Sequence, residues 1–259
     1  VDDAPRNIVE KSFWETEYYW ATATVPCRVD MALAFDCSLA RALSAHAPAE
    51  PRQTVLEVGC APGKWMIFYA ERFGACVSGI EYSEKGAELS RRNLAAAGVD
   101  GQILQEDFFT IEPRTHDLVI SIGFAEHFDD LAATLARHLK FVAPGGTLVV
   151  GVPNFRGFNR AVQWLAEPDY LALHNLAAMR PMLYHDFARR HGLELEHLGH
   201  LGGLDPAIIR LSRDSPISLR RIVPGVVTFA ESRLRSLGIG ERLEHPLLSS
   251  YLLAVYRVP

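Results

Sequence analysis

The chain has 259 residues, 49% hydrophobic and 22% charged, enough to bury the core of one large α/β domain or two small ones, and a single domain over residues 1–259 is the simpler reading. Its 26 basic and 31 acidic side chains give a formal charge of −5, which argues against nucleic acid or an anionic membrane as the main partner and favours a small molecule; oligomeric state is unreadable from the sequence. The cysteines Cys27, Cys37, Cys60 and Cys76 form no CxxC pair, and there is no signal-like start and no apolar run of bilayer length, so the expectation is a reduced, cytoplasmic protein.

The first informative segment is SFWETEYYW, which concentrates Phe13, Trp14, Tyr18, Tyr19 and Trp20 ahead of any strand. Trp14 and Tyr18 are four apart and would share a helix face, so residues 1–50 are expected to form a helical lid. Trp14, Tyr18 and Tyr19 could pack on a substrate ring, or simply staple the amino terminus to the core. From Thr54 onward short β-branched runs alternate with helix-length segments, the pattern of βαβ units around a mostly parallel sheet. Strands are predicted at Thr54–Val58, Ala75–Ile80, near Gln102–Gln105, at Asp117–Ile122 and at Thr147–Val152. The helices between them are predicted at about Gly63–Phe73, from Ser83 to the stop at Gly98, and at about Asp129–Val142, before the turn APGG. After Pro153 the rhythm breaks: 154–180 reads as an insertion, followed by a helix at Met182–His191. Leu193–Leu198 and Ser249–Val258 alternate as two final strands, separated by a Pro/Ser/Arg-rich stretch with a helix near Thr228–Leu237; a late strand reached this way can pair antiparallel. Five strands in the first half of this pattern make a doubly wound sheet the economical fold.

The stretch VLEVGCAPGKW joins the first strand to the first core helix. Glycines at such a turn let backbone approach a ligand, and the free N–H groups of a helix start favour an anion. A P-loop is excluded by three residues between Gly59 and Gly63 and by Trp65 where Ser or Thr should follow the lysine. A dinucleotide turn needs GxGxxG, and the third glycine is missing.

VLEVGCAPGKW, GIEYS at the end of the second strand, EDFF after the third and DLVISIGFAEHF at the fourth form an ordered series. It resembles the class I, seven-stranded S-adenosylmethionine (SAM)-dependent methyltransferases over Thr54–Val152, and the end of the chain suits that fold's antiparallel last strand. The resemblance implies a Rossmann-like α/β fold with an N-terminal helical lid and insertions after strands 5 and 6. Residues 54–152 would be the SAM-binding core, 153–192 a substrate-side insertion and helix, and 193–259 the C-terminal strands with an inserted helix. It implies that Gly59, Cys60, Ala61 and Gly63 pass under the ribose and methionine of SAM, and that Glu57 holds the amino group. Glu81, with Tyr82 and Ser83 beside it, would take the ribose hydroxyls. Asp107 and Phe108 would meet the adenine, Ser121, Ile122, Gly123 and Phe124 would line the cavity around the sulfonium, and Glu126 would contact the cofactor or cap the following helix. The product would be S-adenosylhomocysteine (SAH).

The sulfonium already carries a good leaving group, so such an enzyme chiefly aligns an acceptor, excludes water and removes a proton where the acceptor is a hydroxyl. His127, directly after the fourth strand, is the candidate base because imidazole is mostly neutral at pH 7; contact with the cofactor or helix capping is the other reading. His174, Asn175 and Arg156 in the insertion are candidate substrate contacts. Metal-independent transfer is expected, because Asp129 and Asp130 are too few ligands and His197 and His200, three apart on a strand, face opposite ways. An O-methyltransferase of a small molecule is therefore favoured over N- or C-transfer. The alternatives are a nicotinamide-dependent oxidoreductase using Glu81, and a SAM-binding domain without catalysis.

Overall fold

The computed structural model describes residues 4–16, 25–47, 53–203, 205, 208–210, 225–227, 229, 233 and 244–259. Its seven strands are β1 (Thr54–Val58), β2 (Cys76–Ile80), β3 (Gly101–Leu104), β4 (His116–Ile122), β5 (Val142–Pro153), β6 (Glu194–Leu201) and β7 (Tyr251–Arg257). They form one sheet in the order β3-β2-β1-β4-β5-β7-β6, with β7 antiparallel to both its neighbours and the first five strands parallel.

The strands are buried on both faces because their apolar residues alternate between two cores. Val55, Val77, Leu118, Ile120 and Val149 pack with α2 (Ala34–Ala45), α3 (Lys64–Phe73) and α4 (Glu84–Ala97). Leu56, Val58, Val119, Leu148 and Val150 pack on the other face with α5 (Leu131–Leu139) and α7 (Pro181–His191). Local chemistry sets the helix ends. Ser83 caps α4 by accepting from the Gly86 N–H at 3.1 Å, and Gly98 ends it at φ +70°. Asp130 caps α5 through the Ala133 N–H at 3.0 Å.

Two expected boundaries move. The helix predicted at about Asp129–Val142 shortens to α5, which starts after its cap Asp130, and a 3₁₀ turn at Ala125–His127 precedes it. The APGG segment lies within β5 as an irregularity, where pairing jumps from His116↔Val142 to Leu118↔Thr147. Residues 154–180 fold into α6 (Gly157–Ala166) and 3₁₀ turns at Pro168–Leu173 and Leu176–Met179. A short α1 (Lys11–Thr16) lies in the expected lid region. Tyr18, Tyr19, Trp20 and most of the helix predicted near Thr228–Leu237 lie outside the described residues.

The sheet order reverses between β1 and β4, whose ends register as Val58↔Ser121, while Val58 also pairs with Ile80 of β2. The loops leaving β1, β2 and β4 therefore open over one point, where open α/β sheets form their ligand crevices.

Candidate active site

A cavity of about 370 Å³ occupies that crevice. Gly59 and Ala61 of the glycine turn line it, with Glu81 and Tyr82 after β2, Asp107 and Phe108 after β3, and Ile122, Gly123, Glu126 and His127 after β4. Gly59 sits at φ +69°, and a Cβ there would lie 2.8 Å from the Phe124 ring, so backbone alone fits at this point of the wall. The turn is held from outside. The Asn93 side chain donates to the Pro62 carbonyl at 2.9 Å, and Lys64 pairs with the buried Asp36 of α2 at 2.6 Å.

Glu81 is nearly buried, and its Oε1 accepts the Ser83 N–H at 2.8 Å. Desolvation raises its pKa to about 7 despite backbone N–H groups that favour the charged form. Asp107 turns its Oδ1 onto the Phe109 N–H at 2.8 Å and stays exposed at the rim, whereas the Phe108 ring is buried and stacks on Phe141 with centroids 5.2 Å apart. Arg137 fixes this segment by donating from Nε to the Phe108 carbonyl at 2.9 Å and from Nη2 to that of Ile111.

Glu57, Cys60, Gly63, Ser83 and Ser121 stand behind the cavity wall rather than on it. Glu57 accepts the Met66 N–H at 3.2 Å, and full burial pushes its pKa up to about 8. Cys60 packs where Gly79 has no side chain, and burial raises its thiol pKa well above the usual range, so its contribution is its small size.

The part of the cavity around His127 is aromatic. Trp14 meets the His127 ring edge-on at 4.9 Å, His127 lies 5.0 Å from the His174 ring, and His174 lies 4.9 Å from Phe155 and 4.8 Å from Tyr170. His127 Nδ1 lies 2.9 Å from the Leu173 carbonyl oxygen, and His174 Nδ1 lies 2.9 Å from that of Tyr170. A carbonyl only accepts, so both Nδ1 atoms carry the proton and both Nε2 atoms keep a lone pair. Burial holds His127 neutral, with its pKa down to about 4, and His174 down to about 3. The Glu126 carboxyl, 3.5 Å from the His127 Nε2, is pushed up to about 8 by burial.

The amino-terminal segment closes this part of the cavity. Asn7 bridges to Phe128, the Ile8 N–H donates to the His127 carbonyl at 2.8 Å, and the Arg6 N–H donates to Asp129 at 2.8 Å. Glu15 of α1 then accepts the Glu84 N–H at 2.7 Å and the Lys85 N–H at 3.2 Å, so an acid caps the start of α4 and holds Trp14 over the cavity.

Of the candidate substrate residues, Trp14 and His174 line the cavity. Asn175 does not. Its side-chain amide donates to the carbonyls of Phe128 and Asp129 at 3.0 and 3.1 Å, and its Oδ1 accepts the Ala177 N–H at 3.1 Å, which fixes the loop bearing His174. Arg156 is exposed at the start of α6 and is absent from the wall. Phe124, expected with Ser121–Gly123 at the sulfonium end, lines the cavity; sequence reasoning missed Asn7, Phe128, Phe155, Tyr170 and Tyr251, which line it from five separate segments, and only Phe128 sat in a motif already singled out. It also missed the grouping of Glu126, His127 and His174, whose donor atoms all lie within 4.8 Å of one another.

Known proteins are similar to this chain in sequence and fold. Residues 55–146 match the family described as a methyltransferase domain. The chain is 30% identical to the ubiquinone biosynthesis O-methyltransferase of Azoarcus sp. (strain BH72) over 63% of its own length and 74% of that protein's. It is 31% identical to the protein of the same name from Thiobacillus denitrificans over 56% of its own length and 66% of that protein's, just under two thirds. A SAM-dependent methyltransferase from Thiobacillus denitrificans, solved with S-adenosyl-L-homocysteine, superposes with a TM-score of 0.54 at 15% identity, covering 85% of this chain and 90% of that one. Together with the 3-2-1-4-5-7-6 sheet, these matches establish that the chain belongs to the class I SAM-dependent methyltransferases.

Proposed function

We propose that this chain transfers the methyl group of SAM to a hydroxyl oxygen of a small, flat, largely apolar acceptor. The observation that carries the acceptor class is the wall of Trp14, Phe128, Phe155 and Tyr170 near a neutral His127. Such walls recognise a ring by apolar burial and edge or face contacts. The ubiquinone relatives are named O-methyltransferases, which supports oxygen as the acceptor.

In this reading Glu81 accepts hydrogen bonds from the ribose hydroxyls. Asp107 takes the adenine amino group above Phe108, and the Gly59–Gly63 backbone passes under the sugar and methionine. Glu57 acts from behind the wall, through the turn. Ile122, Gly123 and Glu126 surround the sulfonium, whose positive charge favours the ionised Glu126 carboxylate. The acceptor oxygen attacks the methyl carbon in line; the C–S bond breaks with its electron pair left on sulfur, and the hydroxyl proton passes to the His127 Nε2. An imidazole held down to about 4 is a weak sink by itself, and Glu126 at 3.5 Å is the group that stabilises the imidazolium. Trp14 and the segment around Asn7 exclude water over this part of the cavity.

The test is incubation with methyl-labelled SAM and a panel of phenols, aliphatic alcohols, amines and carboxylic acids, reading label in product. Label on phenolic or other hydroxyl oxygen supports the reading; label on nitrogen, carbon or carboxylate alone overturns the oxygen assignment.

A further inference from the structure

Glu126 and His127 leave β4 together, and His174 arrives from the insertion. Each imidazole spends its Nδ1–H on a backbone carbonyl, which leaves Nε2 as the ring atom with a lone pair, and a ring nitrogen of each histidine and a carboxylate oxygen of Glu126 all lie within 4.8 Å of one another. The Glu126 Oε1 lies 3.5 Å from the His127 Nε2, beyond hydrogen-bond reach. The Glu126 side chain is 2% exposed, and its Oε2 is buried without a hydrogen-bond partner. Among the described residues no lysine or arginine pairs with Glu126. Among the described residues the Glu126 Oε2 is thus buried beside two imidazoles without a donor, an arrangement that costs free energy unless something positive sits beside it.

We propose that Glu126, His127 and His174 form a binding site for one divalent first-row metal ion of the Zn²⁺ type. Two imidazoles and a carboxylate are a donor set for Zn²⁺, Co²⁺ or Fe²⁺, not for Mg²⁺ or Ca²⁺, which favour oxygen ligands. Ligand atoms on a tetrahedron with arms of roughly 2.0–2.1 Å stand about 3.3 Å apart. The Glu126–His127 separation of 3.5 Å is already close to that, and the widest separation, within 4.8 Å, closes by side-chain rotation of His174 or Glu126. The Leu173 and Tyr170 carbonyls are outer partners of the kind that orient ligating histidines. The two ligand-bearing segments are tied without help from an ion, since the Asn175 N–H donates to the Glu126 carbonyl at 2.6 Å and its side chain to Phe128 and Asp129. Three protein ligands leave a further position open toward the cavity.

This proposal departs from the expectation of metal-independent transfer, which weighed Asp129, Asp130, His197 and His200; His174 is brought beside Glu126 and His127 by the fold. The binding claim stands whichever group takes the acceptor's proton. An ion and a proton compete for the same lone pair on His127, so a loaded site makes His127 a ligand and leaves its role as base to the ion-free protein.

The test is direct binding to the full chain after chelator treatment and gel filtration. Equilibrium dialysis against micromolar Zn²⁺ with elemental analysis, and Co²⁺ titration followed by visible d–d absorption, are expected to give one ion per chain. His174→Ala and Glu126→Gln are expected to weaken binding at least tenfold, with far-UV circular dichroism confirming the fold. His185→Ala, which removes an exposed histidine of α7, is expected to bind like the parent. Absence of a stoichiometric ion in the parent chain overturns the site, as does equal binding by the folded His174→Ala and Glu126→Gln variants.

Discussion

Glu81 supplies a prediction that links a buried carboxylate to cofactor affinity. Without ligand its pKa stands at about 7, because desolvation outweighs the N–H groups around it, and Glu15 adds repulsion. If the ribose hydroxyls are held by the ionised form, SAH binding must draw a proton off Glu81 across the neutral range. The affinity is then fully present above pH 8 and lost as pH falls through 7, by about tenfold at pH 6 relative to the high-pH limit. At pH 7, about half a proton is released per ligand bound. Glu81→Gln keeps the shape and one acceptor but removes the charge. Losing a charged hydrogen-bond acceptor of about 1.5–3 kcal/mol weakens SAH by roughly 10- to 100-fold at pH 8. The assay is isothermal calorimetry with SAH from pH 6 to 8.5, in two buffers of different ionisation enthalpy. A dissociation constant that is flat over this range in the parent chain refutes the reasoning. So does a Glu81→Gln variant that keeps the parent's pH slope, since the titrating group would then lie elsewhere.

Glu57, raised to about 8 by burial, has the opposite consequence for stability: its protonated form is at no disadvantage below about pH 4.5, and the fold loses stability as pH rises from there toward 8. Urea unfolding of the ligand-free protein should show Glu57→Gln gaining on the parent by about 3 kcal/mol by pH 7 and by nothing near pH 4; a gain independent of pH contradicts this. Gly59→Ala places a Cβ 2.8 Å from the Phe124 ring at φ +69° and should cost about 1–3 kcal/mol of stability together with most SAM affinity, read by thermal melting with and without SAM. His127→Ala should lower turnover about 10²- to 10⁴-fold in chelated buffer while SAM affinity changes by only a few-fold; normal turnover with poor SAM affinity would make His127 a cofactor contact. Asn175→Ala, which frees two carbonyls and unties the His174 loop, should raise the acceptor KM more than that of SAM in steady-state kinetics.

The parallel strands were legible because β1, β2, β4 and β5 are β-branched runs flanked by glycine or an acid, and burial on both faces leaves little polar interruption. Part of the cavity wall was legible for the same reason: Gly59, Ala61, Glu81, Tyr82, Asp107, Phe108 and Glu126 follow strand ends in chain order, and sheet topology alone brings those ends together. The rest of the wall was not. Asn7, Phe155, Tyr170 and Tyr251 reach one cavity from segments far apart, and nothing local in their sequences marks a wall residue. The helix α6 was hidden by its breaker-rich surroundings, and it buries Asn159 and Gln163 while Trp164 and Leu165 stay 63% and 76% exposed, so its apolar side does not mark its buried side. Arg156 looked like an anion clamp by residue type, yet its place at the exposed start of α6 keeps it off the cavity. Asn175 looked like a ligand contact because it sits beside a histidine, and its amide is instead taken up by backbone carbonyls.

The central claim is that the crevice between β1 and β4 holds SAM with its methyl group directed at the Trp14–His127 end. A crystal structure of the full chain with SAH tests it most directly. The expected result is ribose hydroxyls within hydrogen-bond distance of Glu81, adenine beside Asp107 and Phe108, and sulfur facing Glu126 and His127. SAH bound outside this crevice, or bound with its ribose away from Glu81 and its sulfur turned from His127, would contradict it.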